Sequence, residues 1–382
     1  MPLVTGTNAN DILFGTSGDD TLDGLLGADT MDGGDGNDTY FVDNVGDIVK
    51  EVFDDAPGGT ADTVLASVSY SLAPGTFGNQ GYGIENLTLT GFGNINATGN
   101  DKNNVLTGNS GNNVLDGGVG VDSMDGGDGS DTLFGGLGSD TLDGGLGDDT
   151  LDGGADNDTY LFDTDVVLGS DRLIDASGID TLNFAATTTK TINLNLGSTA
   201  AQTVTAGNLT LTLASATAFE NVIGGSLNDN IVGNTLANSL SGGAGNDNLT
   251  GGLGKDTLTG STGLDTLTYN SLGDSLLSGF DVIQGYSGTG ASLDSINAPG
   301  SIAPITLTAS KGTATALTEA AIQLVLTNAA FAANTAAAFK VTGQSGTFIA
   351  LNNGVAGFQA ASDAIIQLSG YNIAAAKPVV VI

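Results

Sequence analysis

Residues 117–161 read as five consecutive units of nine residues, GGVGVDSMD, GGDGSDTLF, GGLGSDTLD, GGLGDDTLD and GGADNDTYL, with no gap between them. No other feature of the chain constrains its fold as tightly. One unit is too small to bury a side chain alone, so a strict short period dictates stacking on neighbours. The glycines at the first, second and usually fourth positions adopt positive φ without a steric penalty, so the first six residues form a tight turn. The last three, such as Thr132-Leu133-Phe134, form a short strand whose middle residue points opposite to its neighbours. Met124, Leu133, Leu142, Leu151 and Tyr160 are then the core residues. A solvated Gly/Asp linker has no reason to place an apolar residue at every ninth position, so disorder is expected only of the ion-free chain, where stacked aspartates repel.

The sixth position supplies a carboxylate beside backbone carbonyls that glycine leaves open. Several hard, flexible oxygen donors suit Ca2+ better than Zn2+ or Mg2+. The unit GGxGxDxUx resembles the calcium-binding nonapeptide of RTX (hemolysin-type) proteins. That resemblance implies an all-β, right-handed parallel β-roll or β-solenoid. Two units make one coil of 18 residues, and loops 18 residues apart stack on the same edge.

Three arrays carry the pattern. The first, within residues 1–41, places Asp11, Asp20, Asp29 and Asp38 at the sixth position. The second, residues 99–161, places Asn104, Asn113, Asp122, Asp131, Asp140, Asp149 and Asp158 there. The third, residues 224–268, places Asp229, Asn238, Asp247, Asp256 and Asp265 there. These side chains are the expected ligands, joined by the carbonyls of Gly118, Gly120, Gly127, Gly129, Gly136, Gly138, Gly145, Gly147, Gly243 and Gly245. Pairing loops 18 residues apart allows up to about ten calcium ions, and the pairs containing Asn are expected to be the weaker ones. Tyr40 and Tyr160 close the first and second arrays and are expected to cover the open end of a narrow core.

Between the arrays, residues 42–98 and 162–223 read as β inserts. Asp62 to Leu72 alternates as one half-buried strand, and Asp180-Thr181-Leu182 echoes Asp62-Thr63-Val64. The Glu-Asn pairs Glu85-Asn86 and Glu220-Asn221 mark the return to the roll. Residues 269–300 form a transition in which Asp274, Asp281 and Asp294 read as solvated loop residues ahead of isolated ligands. Residues 301–382 change composition and read as a small α+β domain. It has a helix capped by Thr318, a hairpin from Phe339 to Leu351, a short helix over Val355 to Ser362, a strand from Ala364 and an apolar end. The stretch FKVTGQSGTFIALNNGVAGFQAASDAIIQLSGYNI resembles the C-terminal bluetail domain of surface proteins from photosynthetic bacteria, in the run from Asn353 through Gly357 and Phe358 to Asp363 and Gly370.

The 382 residues carry a net charge of −35. Only four of the 43 acids are Glu, a bias that fits short-reach ligands in tight turns. The charge argues against nucleic acid or an anionic membrane as partner, and no stretch is long and apolar enough to span a bilayer. Without Cys or His there is no disulfide frame, thiol nucleophile or Ser-His-Asp triad. The first roll begins at residue 6, which leaves no room ahead of it for the catalytic domain that RTX enzymes carry, so no enzyme is expected. The start lacks the pattern of a cleaved signal peptide. The RTX resemblance implies the type I secretion apparatus as partner, through an uncleaved C-terminal signal. The expected function is that of a secreted, extracellular or cell-surface calcium-binding protein with a structural role, folding on calcium outside the cell. The alternative is an adhesin or carbohydrate-binding module, with cell-surface glycans or other surface-layer subunits as partners.

Overall fold

A computed structural model describes all residues except 1, 52–60, 75–80, 82, 290–291, 301 and 375–376. The chain forms two compact units. One holds residues 1–162, 166–180 and 208–214; the other holds 163–165, 181–207 and 215–382.

In the first unit the strand tripeptides stack in parallel, one coil above the next. One sheet runs through Leu3–Thr5, Thr21–Asp23, Thr39–Val42, Thr63–Ala66, Asn86–Leu89, Val105–Thr107, Ser123–Asp125, Thr141–Asp143 and Thr159–Leu161. The register is that of the repeat: Leu106 pairs with Met124, Met124 with Leu142, and Leu142 with Tyr160. Every middle residue of these pairs is buried, which is how single leucines in separate units build one continuous core. The opposite face stacks Val114–Val119, Thr132–Leu137, Thr150–Ala155, Gly169–Ile174 and Leu209–Leu213, again in parallel.

The residues between the first two arrays continue this ladder. Tyr40 pairs with Val64, Val64 with Leu87, and Leu87 with Leu106. Asp62 to Leu72 is not one strand. It divides into Thr63–Ala66 and Tyr70–Ser71, which belong to opposite faces, so the chain turns a corner inside an unbroken alternation. Tyr40 is not an end cover either: it is fully buried, and the ladder passes through it.

The second unit repeats the construction. Thr181–Asn183, Asn221–Ile223, Ser239–Ser241, Thr257–Thr259 and Asp281–Gln284 pair in parallel, and Ala364–Leu368 adds to Asp281–Gln284 in the same sense. The facing ladder runs from Asn193–Asn195 through Asn230–Val232, Asn248–Thr250, Thr266–Thr268 and Ser295–Asn297 to Val379–Val381. The C-terminal strands therefore extend both sheets of the roll. Behind them Ala336–Val341, Thr347–Leu351 and Ala364–Leu368 are antiparallel and cover a second core of Ile322, Leu326, Phe331, Phe339, Phe348, Phe358 and Ile365. The helix Glu319–Gln323 is capped by Thr318, whose hydroxyl accepts from Ala321 N–H. No helix forms over Val355 to Ser362. Gly357 sits at φ +88°, and Asp363 accepts from the N–H groups of Asn353 and Gln359, which holds the segment as turns.

Candidate metal centre

The strand places the carboxylate. Because the eighth residue of a unit is locked into the core, the sixth is held at the edge where the coil turns, facing the same position one coil away. All ten expected pairs spaced by 18 residues are joined there by one hydrogen bond, from the earlier residue's backbone N–H to Oδ1 of the later Asp. Asp122 donates to Asp140 and Asp140 to Asp158, each at 2.7 Å. Asp11, Asp20, Asp29 and Asp38 are joined in the same way in the first array, at 2.6–2.7 Å.

The glycines line the rest. The carbonyl of Gly118 faces the Cα of Gly136, and that of Gly120 faces Gly138, where an added Cβ would overlap it. Gly127 and Gly129 face Gly145 and Gly147 in the same manner, and Gly245 faces Gly263. Among the expected carbonyls, that of Gly127 accepts from Leu146 N–H and that of Gly243 from Thr262 N–H. A further set was missed from the sequence. A Cβ at the first-position Gly135 would meet both the Gly153 carbonyl and Asp140 Oδ2, and Gly126 is flanked likewise by Gly144 and Asp131. First-position carbonyls and sixth-position carboxylates thus border the same space.

The second carboxylate oxygen tests whether a cation fits. Oδ2 of Asp29, Asp38, Asp122, Asp131, Asp140, Asp149, Asp158, Asp247, Asp256 and Asp265 is buried without a hydrogen-bond partner. Ordered chains rarely leave such oxygens unsatisfied, and a charged one is the costliest kind. Burial pushes the carboxyls of Asp131 and Asp140 up to about 6, and those of Asp149, Asp158 and Asp247 up to about 7, with neighbouring aspartates adding to the effect. The backbone N–H each one accepts works against that rise and is too weak to cancel it. A hard divalent ion held between Oδ2 and the glycine carbonyls would satisfy all of these groups together.

The asparagine loops differ. Nδ2 of Asn104 donates to the Ile84 and Glu85 carbonyls, that of Asn113 to Ile95 and that of Asn238 to Glu220. The amide N–H lies on the carbonyls where a cation would lie, so these side chains are satisfied as they stand.

Several acids outside the arrays prolong the columns. Asp47 accepts from Asp29 N–H, Asp62 from Asp38, Asp171 from Asp149 and Asp180 from Asp158. Asp281 accepts from Asp256 and Asp294 from Asp265, and both are buried rather than solvated. Asp274 is buried too, in the capping box of the short helical turn Leu272–Ser275. The signal for the column acids is the tripeptide Asp-x-apolar, as in Asp47-Ile48-Val49, Asp171-Arg172-Leu173 and Asp294-Ser295-Ile296. It is the end of the nonapeptide without its glycine loop.

Comparison with known families agrees with this geometry. The RTX calcium-binding nonapeptide repeat matches residues 5–40, 98–133 and 125–160. The serralysin C-terminal region of peptidase family M10 matches residues 163–301, which include the third array. No curated protein matches the chain significantly. Fold and site together define a calcium-binding parallel β-roll. Its repeats are of the RTX type and its following region is serralysin-like; both regions are structural rather than catalytic in kind.

Proposed function

We propose that the chain is a secreted calcium-binding protein that acts structurally at the cell surface or in the extracellular matrix, and that its rolls fold on calcium outside the cell. The observation that carries this reading is the column of buried carboxylate oxygens without partners, which penalises the fold until a cation arrives. Extracellular calcium modules bind at about 10⁻⁴–10⁻³ M. Sites of that strength stay empty in calcium-poor cytosol, so the chain would remain threadable through a type I apparatus and fold on emergence. The bluetail-like C-terminal stretch supports a surface location. The test is far-UV circular dichroism during a calcium titration after chelation, with magnesium as control. A cooperative gain of β signal near millimolar calcium, absent with magnesium, supports the reading; a fully folded spectrum in chelator overturns it.

An adhesin or carbohydrate-binding role is favoured by one surface of the second unit. There Asn193, Asn195, Gln202 and Asn230 line an open cleft of about 400 Å³, with Asn230 Nδ2 donating to Asn193 Oδ1 at 2.8 Å. Glycan-array binding by the calcium-loaded chain, lost on Asn195→Ala, would select it.

A further inference from the structure

The ends of the first two arrays carry a chemistry that the repeat does not. Asp38, Glu51 and Asp62 bring three carboxylates together, with one oxygen from each lying within 4.8 Å of the others. Asp158, Asp175 and Asp180 do the same at the end of the second array. Glu51 and Asp175 belong to no nonapeptide.

Both clusters are organised by the tyrosine two residues after the array's last Asp. Tyr40 Oη accepts from Gly33 N–H and donates to Glu51 Oε1. Tyr160 Oη accepts from Gly153 N–H at 2.8 Å and lies 2.6 Å from Asp175 Oδ2. A Cβ on Gly33 would meet Asp38 Oδ2 and Tyr40 Oη together, and one on Gly153 would meet Asp158 Oδ2 and Tyr160 Oη. The free carboxylate oxygen therefore points at the tyrosine hydroxyl and the third carboxylate in both places. These tyrosines are positioning groups: each turns a carboxylate from the following segment onto the last loop of its array.

In the first cluster both oxygens of Glu51 accept hydrogen bonds, Oε1 from Tyr40 and Oε2 from Gly34 N–H, and the shortage falls on the aspartates. Asp38, Glu51 and Asp62 are each no more than 1% exposed, and Oδ2 of both aspartates has no hydrogen bond. Among the described residues none of the three pairs with a lysine or arginine; Lys50 goes instead to Asp32, at 3.5 Å. In the second cluster Asp158 Oδ2 and Asp175 Oδ1 are likewise buried without a partner. With calcium–oxygen ligands at about 2.3–2.6 Å, three oxygens that all lie within 4.8 Å of one another are in reach of one ion.

We propose that Asp38, Glu51 and Asp62, and again Asp158, Asp175 and Asp180, form two carboxylate-only calcium sites that fill before the loop sites and fasten each following segment to the array. This rests on the calcium reading above. Affinity in oxygen sites rises with the number of charged ligands. Three carboxylates converge in each cluster, whereas a pair of repeat loops brings at most two to neutral carbonyls. Filling one cluster ties residue 38 to residues 51 and 62, or residue 158 to residues 175 and 180.

Terbium, a calcium substitute that tyrosine excitation sensitises, is the probe. The chain has no Trp, so emission reports ions beside tyrosine, and Tyr40 and Tyr160 touch these clusters. In a terbium titration of the full chain, sensitised emission should saturate before the β signal does. Glu51→Gln and Asp175→Asn should each remove about half of that early emission and together nearly all of it. Early emission unchanged in both variants overturns the proposal. Anomalous scattering from terbium-soaked crystals of the unaltered chain needs no variant to fold. Peaks between the carboxylates support the proposal, and peaks at the loops alone refute it while sparing the calcium reading. Peaks nowhere refute both.

Discussion

Asp140→Asn should change sign with calcium. Asp140 is 1% exposed, sits in the middle of the longest array, and is bordered through Oδ2 by the carbonyl of Gly153. Burial, with Asp122 and Asp156 adding to it, raises its carboxyl to about 6, against about 3.9 in an unfolded chain. Its ionised form at neutral pH therefore costs the ion-free fold about 3 kcal/mol relative to the unfolded chain. Asn keeps the oxygen that accepts from Asp122 N–H and removes that cost, so in chelator the variant should be more stable by up to about 3 kcal/mol, less whatever the new N–H₂ loses by lacking a partner. In calcium the balance reverses. A site held at 100 times its Kd contributes about 2.7 kcal/mol to the folded state, and the variant forgoes it. Circular dichroism in chelator, with sucrose added to populate the ion-free fold, and urea denaturation in millimolar calcium read the two arms. A variant destabilised equally in the two conditions would show that the carboxylate acts through packing and refute the electrostatic account.

The remaining predictions draw on the same columns. Carboxyls raised by burial to about 6 at Asp131, about 7 at Asp149 and about 8 at Asp171 make the ion-free fold bind more protons than the unfolded chain between about pH 4 and 8. Its stability is therefore greatest below the unfolded value and falls as pH rises through the folded ones; acidifying the chelated chain should raise its β signal, and a loss of signal would contradict the assignment. Asn113→Asp exchanges an amide donor for a carboxylate facing the Ile95 carbonyl, so it should cost the ion-free fold about 1–3 kcal/mol and recover in saturating calcium, read as a higher calcium midpoint of the β signal. Gly138→Ala, at φ +121° against the Gly120 carbonyl, should cost more than about 2 kcal/mol even in saturating calcium. Gly91→Ala, at φ +82° with open space around it, should cost only the backbone strain of about 1 kcal/mol.

What could be read in the sequence was whatever the period enforces. Leu133, Leu142 and Leu151 had to be core and Asp131, Asp140 and Asp149 had to stack, because a nine-residue unit offers nowhere else for them to go. The corner between Ala66 and Tyr70 was hidden because alternation continues through it: Ala66 and Tyr70 are both buried, on different sheets. Tyr40 looked like a terminal cover because its size was legible and its hydrogen bond to Glu51, eleven residues on and outside the period, was not. The Val355 to Ser362 helix failed on Gly357, which sits at positive φ with Asn328 where a Cβ would lie. Asp281 and Asp294 were underrated because their glycine loops are gone, although the Asp-x-apolar strand that buries them is intact.

The choice of Asn or Asp at the sixth position follows from what the preceding coil offers. Inside an array the earlier coil presents a backbone N–H, and a carboxylate oxygen accepts it, as Asp158 does from Asp140. Where Asn104 and Asn238 stand, the earlier coil is an insert that turns carbonyls toward the site, those of Glu85 and Glu220. A carboxylate would face those oxygens with like partial charge, whereas an amide donates to them. This explains the Glu-Asn pairs that precede both returns to the repeat: Glu85 and Glu220 supply the carbonyl that the first coils close upon, and Asn86 and Asn221 begin the next strand. Toward the preceding coil Asn104, Asn113 and Asn238 are thus held by neutral amide-to-carbonyl hydrogen bonds, and toward the following one by a backbone N–H donated to a carboxylate. In the second array calcium dependence then grows from Asn104 and Asn113, whose amides need no ion, toward the carboxylates of Asp122 to Asp158, whose second oxygens are buried without partners.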